Sequence, residues 1–263
     1  MDSPVPKLSP IALRSQVSQR RGLLPVFPHD RLDYSLRRFF VDQFFFRHVA
    51  MLRPGSRVLD LGGTKVQKRG SFDIERYALR VIYANISTAK RPDVQADGAH
   101  LPFVPACFDA VICAELLEHV RNPEAVLREV SHVLVPGGIL LITVPFLSRI
   151  HGDPTDYGRY TDSYWLETLS SLGFVGIRIE KQGLFWSVMA DMLRGLVNEL
   201  VVQGRVHPKC AARLLTRLVA WGCHTAVTCD SQPGVHGHPY LSAFTTGFGI
   251  VARAPVPVSE AIP

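Results

Sequence analysis

Two histidines stand where short apolar runs give way to polar sequence. His119 follows an acid in Leu117-Glu118-His119-Val120, and His151 lies in a polar loop after a strongly apolar run. Either imidazole is suited to take a proton from a hydroxyl near neutral pH. Beyond His151, Asp156, Tyr157, Arg159 and Tyr160 bring carboxylate, guanidinium and phenol groups into one short stretch. Such a set can bind a sugar or another polyol through paired hydrogen bonds and ring stacking. The same residues can instead pin their loop to the sheet, and His119 can hold a loop through backbone contacts. Asp60 closes a third such place, Arg57-Val58-Leu59-Asp60-Leu61-Gly62-Gly63-Thr64. Glycine there admits a ligand where a Cβ would collide, and the acid can attract a cation or a polar group. Cys223, His224, Cys229, His236 and His238 crowd one stretch, but their spacing fits no standard zinc pattern, so no metal is expected.

The elements that must position these groups follow from periodicity. The run at 57–61 reads as a buried strand after the Pro54-Gly55 turn. Further strands are expected at 80–84 (ending at Asn85), 93–96 (ending at Asp97), 108–113, 139–144, 175–180 and 247–252. Helices are expected from Asp30 to Leu52, Pro123 to Leu134 and Thr161 to Leu172, and in a pair between residues 184 and 222, with 223–245 as loop. Strands alternating with helices or crossovers predict an α/β chain with a doubly wound, mostly parallel seven-stranded sheet. Its crevice should open at the carboxyl ends of the strands. The expected organisation is a leader over 1–28 and a domain over 29–253, followed by a tail over 254–263. Within the domain lie a core at 55–182, a helical insertion at 183–245 and a last strand at 246–253.

The chain has 263 residues, 47% hydrophobic and 20% charged, a globular composition with room for a large core. Its formal charge is +6, of which residues 1–55 hold +5; the remainder is about neutral, which argues against a nucleic-acid surface. Five scattered cysteines and no visible signal peptide indicate a reducing, cytoplasmic setting. The paired helices read as a substrate lid, a homodimer surface or a peripheral membrane contact.

Taken in order, several short segments together resemble the class I S-adenosylmethionine-dependent methyltransferases, of the "methyltransferase type 11" kind. They are Asp60-x-Gly62-Gly63, the strand ending at Asn85, Asp97-x-x-x-Leu101-Pro102-Phe103, Phe108-Asp109-Ala110-Val111, Leu117-Glu118-His119-Val120 and Leu134-x-Pro136-Gly137-Gly138. The likeness covers roughly residues 55–182 and implies a Rossmann-like fold and S-adenosyl-L-methionine as cofactor. By that resemblance, Gly62 and Gly63 approach the methionine half and Asp60 organises its amino end. Asn85 stands where the family usually has an acid for the ribose hydroxyls. Asp97, with Gly98 beside it, accepts from the adenine amine, and Glu115 lines the cleft. The segment from His151 to Thr161 is similar to a loop in bacterial members that accompany glycan-modifying enzymes. From their chemistry, Asp156, Tyr157, Arg159 and Tyr160 are the candidate substrate residues and His151 or His119 the candidate base. The chain departs from the family's glycine turn at Thr64 and Val66, and its turn is basic (Lys65, Lys68, Arg69). The implied reaction is O-methylation of a sugar hydroxyl on a glycan or glycolipid. Methylation of a small metabolite or quinone-like ring, and a non-catalytic binding module, stand beside it.

Overall fold

The computed structural model describes residues 31–66, 68–152 and 155–256; the expected leader, Asp30 and most of the expected tail lie outside them. Seven strands form one sheet: β1 (Arg57–Leu61), β2 (Arg80–Asn85), β3 (Val94–Gln95), β4 (Phe108–Ala114), β5 (Leu134–Pro145), β6 (Val175–Lys181) and β7 (Gly247–Arg253). Their order is β3-β2-β1-β4-β5-β7-β6. The first five run parallel, and β7 lies antiparallel between β5 and β6, with Ile142 opposite Ile250. The doubly wound α/β expectation holds, and the insertion does precede the last strand.

Helices cover both faces. On one lies α1 (Leu36–Val49), whose Val41, Phe44, Phe45 and Val49 pack on Val58, Tyr83, Ile112 and Leu141. Its start differs from the expected Asp30: the Ser35 side chain accepts from Arg38 N and caps the helix. On the other face lie α2 (Pro123–Val133) and α3 (Asp162–Ser171), with Val126, Val130, Trp165 and Leu169 in the larger core. Asn122 and Thr161 cap them, as short polar side chains before a first turn do.

Between β6 and β7 stand α4 (Phe185–Val202) and α5 (Lys209–Asp230), followed by the single turn α6 (Pro233–His236). The loop expected over 223–245 is helical as far as Asp230. The reason lies at the other end of the pair. Leu184 offers α4 no side-chain cap. Instead the Asp230 carboxylate accepts from Leu184 N, Trp186 N and Ser187 N at 2.8, 3.1 and 2.9 Å. α5 must run that far to deliver its acid to the positive end of α4. Asp191 ties the pair to α1 by accepting from Leu36 N at 2.7 Å.

Candidate functional site

The strand ends β1, β2 and β4 open on a cleft of about 960 Å³, a size that holds a cofactor and a small acceptor together. It is lined by Asp60, Gly62, Gly63, Asn85, Asp97, Gly98, Glu115, His119, His151 and Tyr157, among others. All seven residues assigned to cofactor binding, and both histidines, therefore meet in one place. Of the four assigned to the acceptor, only Tyr157 does.

The glycine turn is built from three contacts. Gly62 takes φ +81°, and a Cβ there would stand 2.8 Å from Leu116 Cδ1. At Gly63 a Cβ would overlap the Asp60 carboxylate. Asn85 Nδ2 donates to Gly62 O at 2.8 Å and Gly63 O at 3.0 Å, while its Oδ1 accepts from Ser87 N at 2.9 Å. The side chain expected to face ribose hydroxyls thus clamps the turn. An acid could not donate these bonds, so the amide is the chemically required choice here. The Thr64 hydroxyl donates to Val66 O at 2.6 Å and closes the loop locally.

No hydrogen bond reaches the Asp60 carboxylate among the described residues. Burial pushes its carboxyl up to about 7, against the pull of Lys68. Asp97 accepts from Ala99 N at 3.0 Å through Oδ1, and its side chain stays 54% exposed to the cleft. Glu115, at φ +49°, meets Arg37 of α1 in a two-pronged pair at 2.5 and 3.1 Å. Arg37 also donates to Gln182 Oε1 at 2.5 Å. Burial raises the Glu115 carboxyl, but the Arg37 guanidinium outweighs it and holds the group below its usual range. Glu115 lines the cleft as one half of a buried ion pair.

At the other end of the cleft, His119 Nδ1 meets Thr155 O at 2.6 Å, which directs Nε2 towards Glu118, 3.7 Å away. The His119 and His151 rings lie edge to face, 5.1 Å apart. Glu118 is 2% exposed, and neither carboxylate oxygen has a hydrogen-bond partner. Burial, then the charge of Glu115, pushes its carboxyl up to about 8. Sequence reasoning passed over Glu118; the available signal was an acid inside an otherwise apolar run next to a candidate base. Glu118, His119 and His151 offer ligand atoms within 4.8 Å of one another and could hold a cation. The Cys/His run gives no such group: Cys223 is buried in the packing of α4 on α5, and His238 accepts from Tyr240 N.

Asp156 and Arg159 do not present their charges to an acceptor. They pair with each other at 2.5 and 2.6 Å, and Asp156 also accepts from His151 N at 2.9 Å. That arrangement sets the His151 loop. Tyr160 stacks on Tyr164, ring centroids 4.3 Å apart, and packs against Trp165 and the larger core.

Asp60 and Glu118 hold their protons more tightly in the folded protein than in the unfolded chain. The stability they confer is complete below the ordinary carboxylate range and is lost as pH rises through about 7 and about 8. The ligand-free protein should therefore show a Tm that falls as pH rises from about 4, the ordinary carboxylate range, and levels off above about 8. Asp60→Asn should remove the part of the fall that ends near pH 7. A scanning-fluorimetry profile that is level across this range overturns both assignments.

The family model described as a methyltransferase domain matches residues 70–142. Demethylmenaquinone methyltransferase of Mycobacterium bovis is 36% identical over 102 residues, 36% of this chain and 44% of that protein. The ubiquinone/menaquinone C-methyltransferase UbiE of Shewanella frigidimarina is 37% identical over 129 residues, 40% and 49% of the two chains. The chain thus spans just under half the length of these curated relatives. Among solved structures, the [4+2]-cyclase SpnF is similar in fold, with a TM-score of 0.52 at 23% identity over 83% of this chain and 81% of that one.

Proposed function

Because the chain carries the methyltransferase domain and the fold of the class I S-adenosylmethionine-dependent methyltransferases, we propose that it transfers a methyl group from S-adenosylmethionine to a hydroxyl of a small acceptor. The observation that carries this is the meeting of Asp60, the Gly62-Gly63 turn, Asp97, His119 and His151 in the lining of one cleft. A carboxylate without a hydrogen-bond partner beside an open glycine turn fits an ammonium group, and the open carboxylate of Asp97 fits an exocyclic amine. The cofactor supplies a methyl already on a good leaving group. The protein's task is then alignment of the acceptor and removal of its proton.

With Nδ1 donating to Thr155 O, His119 presents a basic Nε2. A proton taken there places an imidazolium beside Glu118, which the new charge would help to ionise. Tyr157, with Arg121 over its ring at 5.5 Å, offers a polar and aromatic wall for the acceptor. These groups favour a hydroxylated acceptor such as a sugar of a glycan or glycolipid. The curated relatives support a second reading, a quinone-like ring.

Calorimetric titration with S-adenosylmethionine and its demethylated product tests the proposal. Saturable binding is expected, weakened about tenfold or more by Asp97→Ala. Methyl-transfer assays on glycolipid and quinol acceptors then separate the two readings. No binding at millimolar cofactor by folded protein would leave the non-catalytic module in its place.

A further inference from the structure

The insertion carries an apolar face that the rest of the chain leaves uncovered. On α4, Trp186, Met189, Leu193 and Leu196 recur at spacings of three and four and form one stripe. On α5, Leu214, Leu218 and Trp221 form another. Apart from Trp186, each of these is more than half exposed. The opposite faces of both helices are satisfied: Val197, Val219 and Cys223 pack with Leu36 and Phe39 of α1 in a buried cluster. The stripes are therefore surplus to the fold. At 18 and 22 residues the helices are about 27 and 33 Å long, and each stripe covers two or more turns of its helix.

The charges around it are mostly positive. Arg205 and Lys209 sit at the tip of the pair, and Arg213 and Arg217 run beside Leu214, Leu218 and Trp221 on the exposed side of α5. None of these four forms an ion pair among the described residues. Of the three acids between 184 and 230, Asp230 is buried as the α4 cap and Asp191 bonds Leu36 N and Arg194. Glu199 alone is exposed. A second copy docked face to face would set arginines near arginines with little acid to answer them. An anionic surface answers all four, and arginine stems can lie along apolar material with their heads at the polar boundary. No described helix is long and apolar enough to cross a membrane. Tryptophan beside a basic rim is the composition of a helix that lies in the interface plane.

We propose that α4 and α5 form a platform that docks the protein on an anionic lipid bilayer. The inference stands apart from the methyl-transfer reading and survives if that reading fails.

The three tryptophans make the test direct. Trp165 is buried, 1% exposed, whereas Trp186 and Trp221 are 44% and 64% exposed on the platform. Added to the full chain, phosphatidylglycerol–phosphatidylcholine vesicles should shift emission to the blue, and lipids brominated along the acyl chain should quench it. Pure phosphatidylcholine vesicles and high salt should weaken the effect. The double variant Arg213→Gln/Arg217→Gln should bind the anionic vesicles about tenfold or more weakly. Leu193→Glu/Leu214→Glu should lose binding while keeping the Tm of the parent, since both positions are exposed. Unchanged emission with anionic vesicles at low salt overturns the proposal. So does a stable dimer by light scattering that this acidic double variant splits, which would assign the face to a second copy.

Discussion

Replacing Arg37 by methionine is expected to lower the Tm by roughly 6–20 °C, the consequence of losing about 3–5 kcal/mol in a chain of this size. Arg37 is 6% exposed and holds Glu115 through two bonds, with a third to Gln182. Without it, Glu115 keeps a charge in a site that cannot solvate it, close enough to Glu118 to raise that carboxyl already. The cost comes from the charge left behind more than from the bonds lost. A second change, Glu115→Gln, should therefore recover much of the fall. Scanning fluorimetry of the two single variants and the double variant reads this as a cycle. If the double variant is no more stable than Arg37→Met, the buried charge is not the cause. The pair also matters to the site, because it joins α1 to the end of β4 and so sets one wall of the cleft.

Asn85→Asp should weaken S-adenosylmethionine binding about tenfold or more and lower the Tm, although it supplies the acid that the resemblance led one to expect at this strand end. The amide donates to two carbonyl oxygens of the glycine turn. A carboxylate would face those oxygens as a like partner, losing two bonds of about 1 kcal/mol each and adding repulsion. Asn85→Ala loses the bonds without the repulsion and should fall between parent and Asp. Calorimetry across the three proteins gives the order. Tighter binding by the aspartate variant would show that this side chain serves the ribose and not the turn.

Asn85 also shows where sequence reasoning stops. Its position at the end of the second strand was legible, because a short apolar run closing on a polar residue is a one-dimensional signal. Its hydrogen-bond partners were not, since Gly62 and Gly63 reach it only through strand pairing across more than twenty residues. For Asp156 and Arg159 the sequence left two readings open, and the geometry is that of the loop-pinning one. Read along the chain they look like a polar set offered to a ligand; in space each is the other's partner. Helix ends divide in the same way. Thr161 and Asn122 cap their own helices and could be read directly, whereas α4 is capped by Asp230, and nothing local to Leu184 announces it. The doubly wound, mostly parallel sheet followed from alternation of strands and helices; the order of its strands came only from the structure. The apolar periodicity of the paired helices was visible, but the exposure of its stripes and the basic residues beside them required knowing which faces α1 covers.

The place of β7 between β5 and β6 also constrains the order of assembly. β6 touches the sheet only through β7, which leaves the ribosome some sixty residues later. Until it arrives, β5 ends the growing sheet with an open hydrogen-bonding edge and β6 has no strand to join. Such edges are templates for pairing between chains. A nascent chain from which β7 has not yet emerged can register its first five strands, whereas its sixth has no strand to pair with.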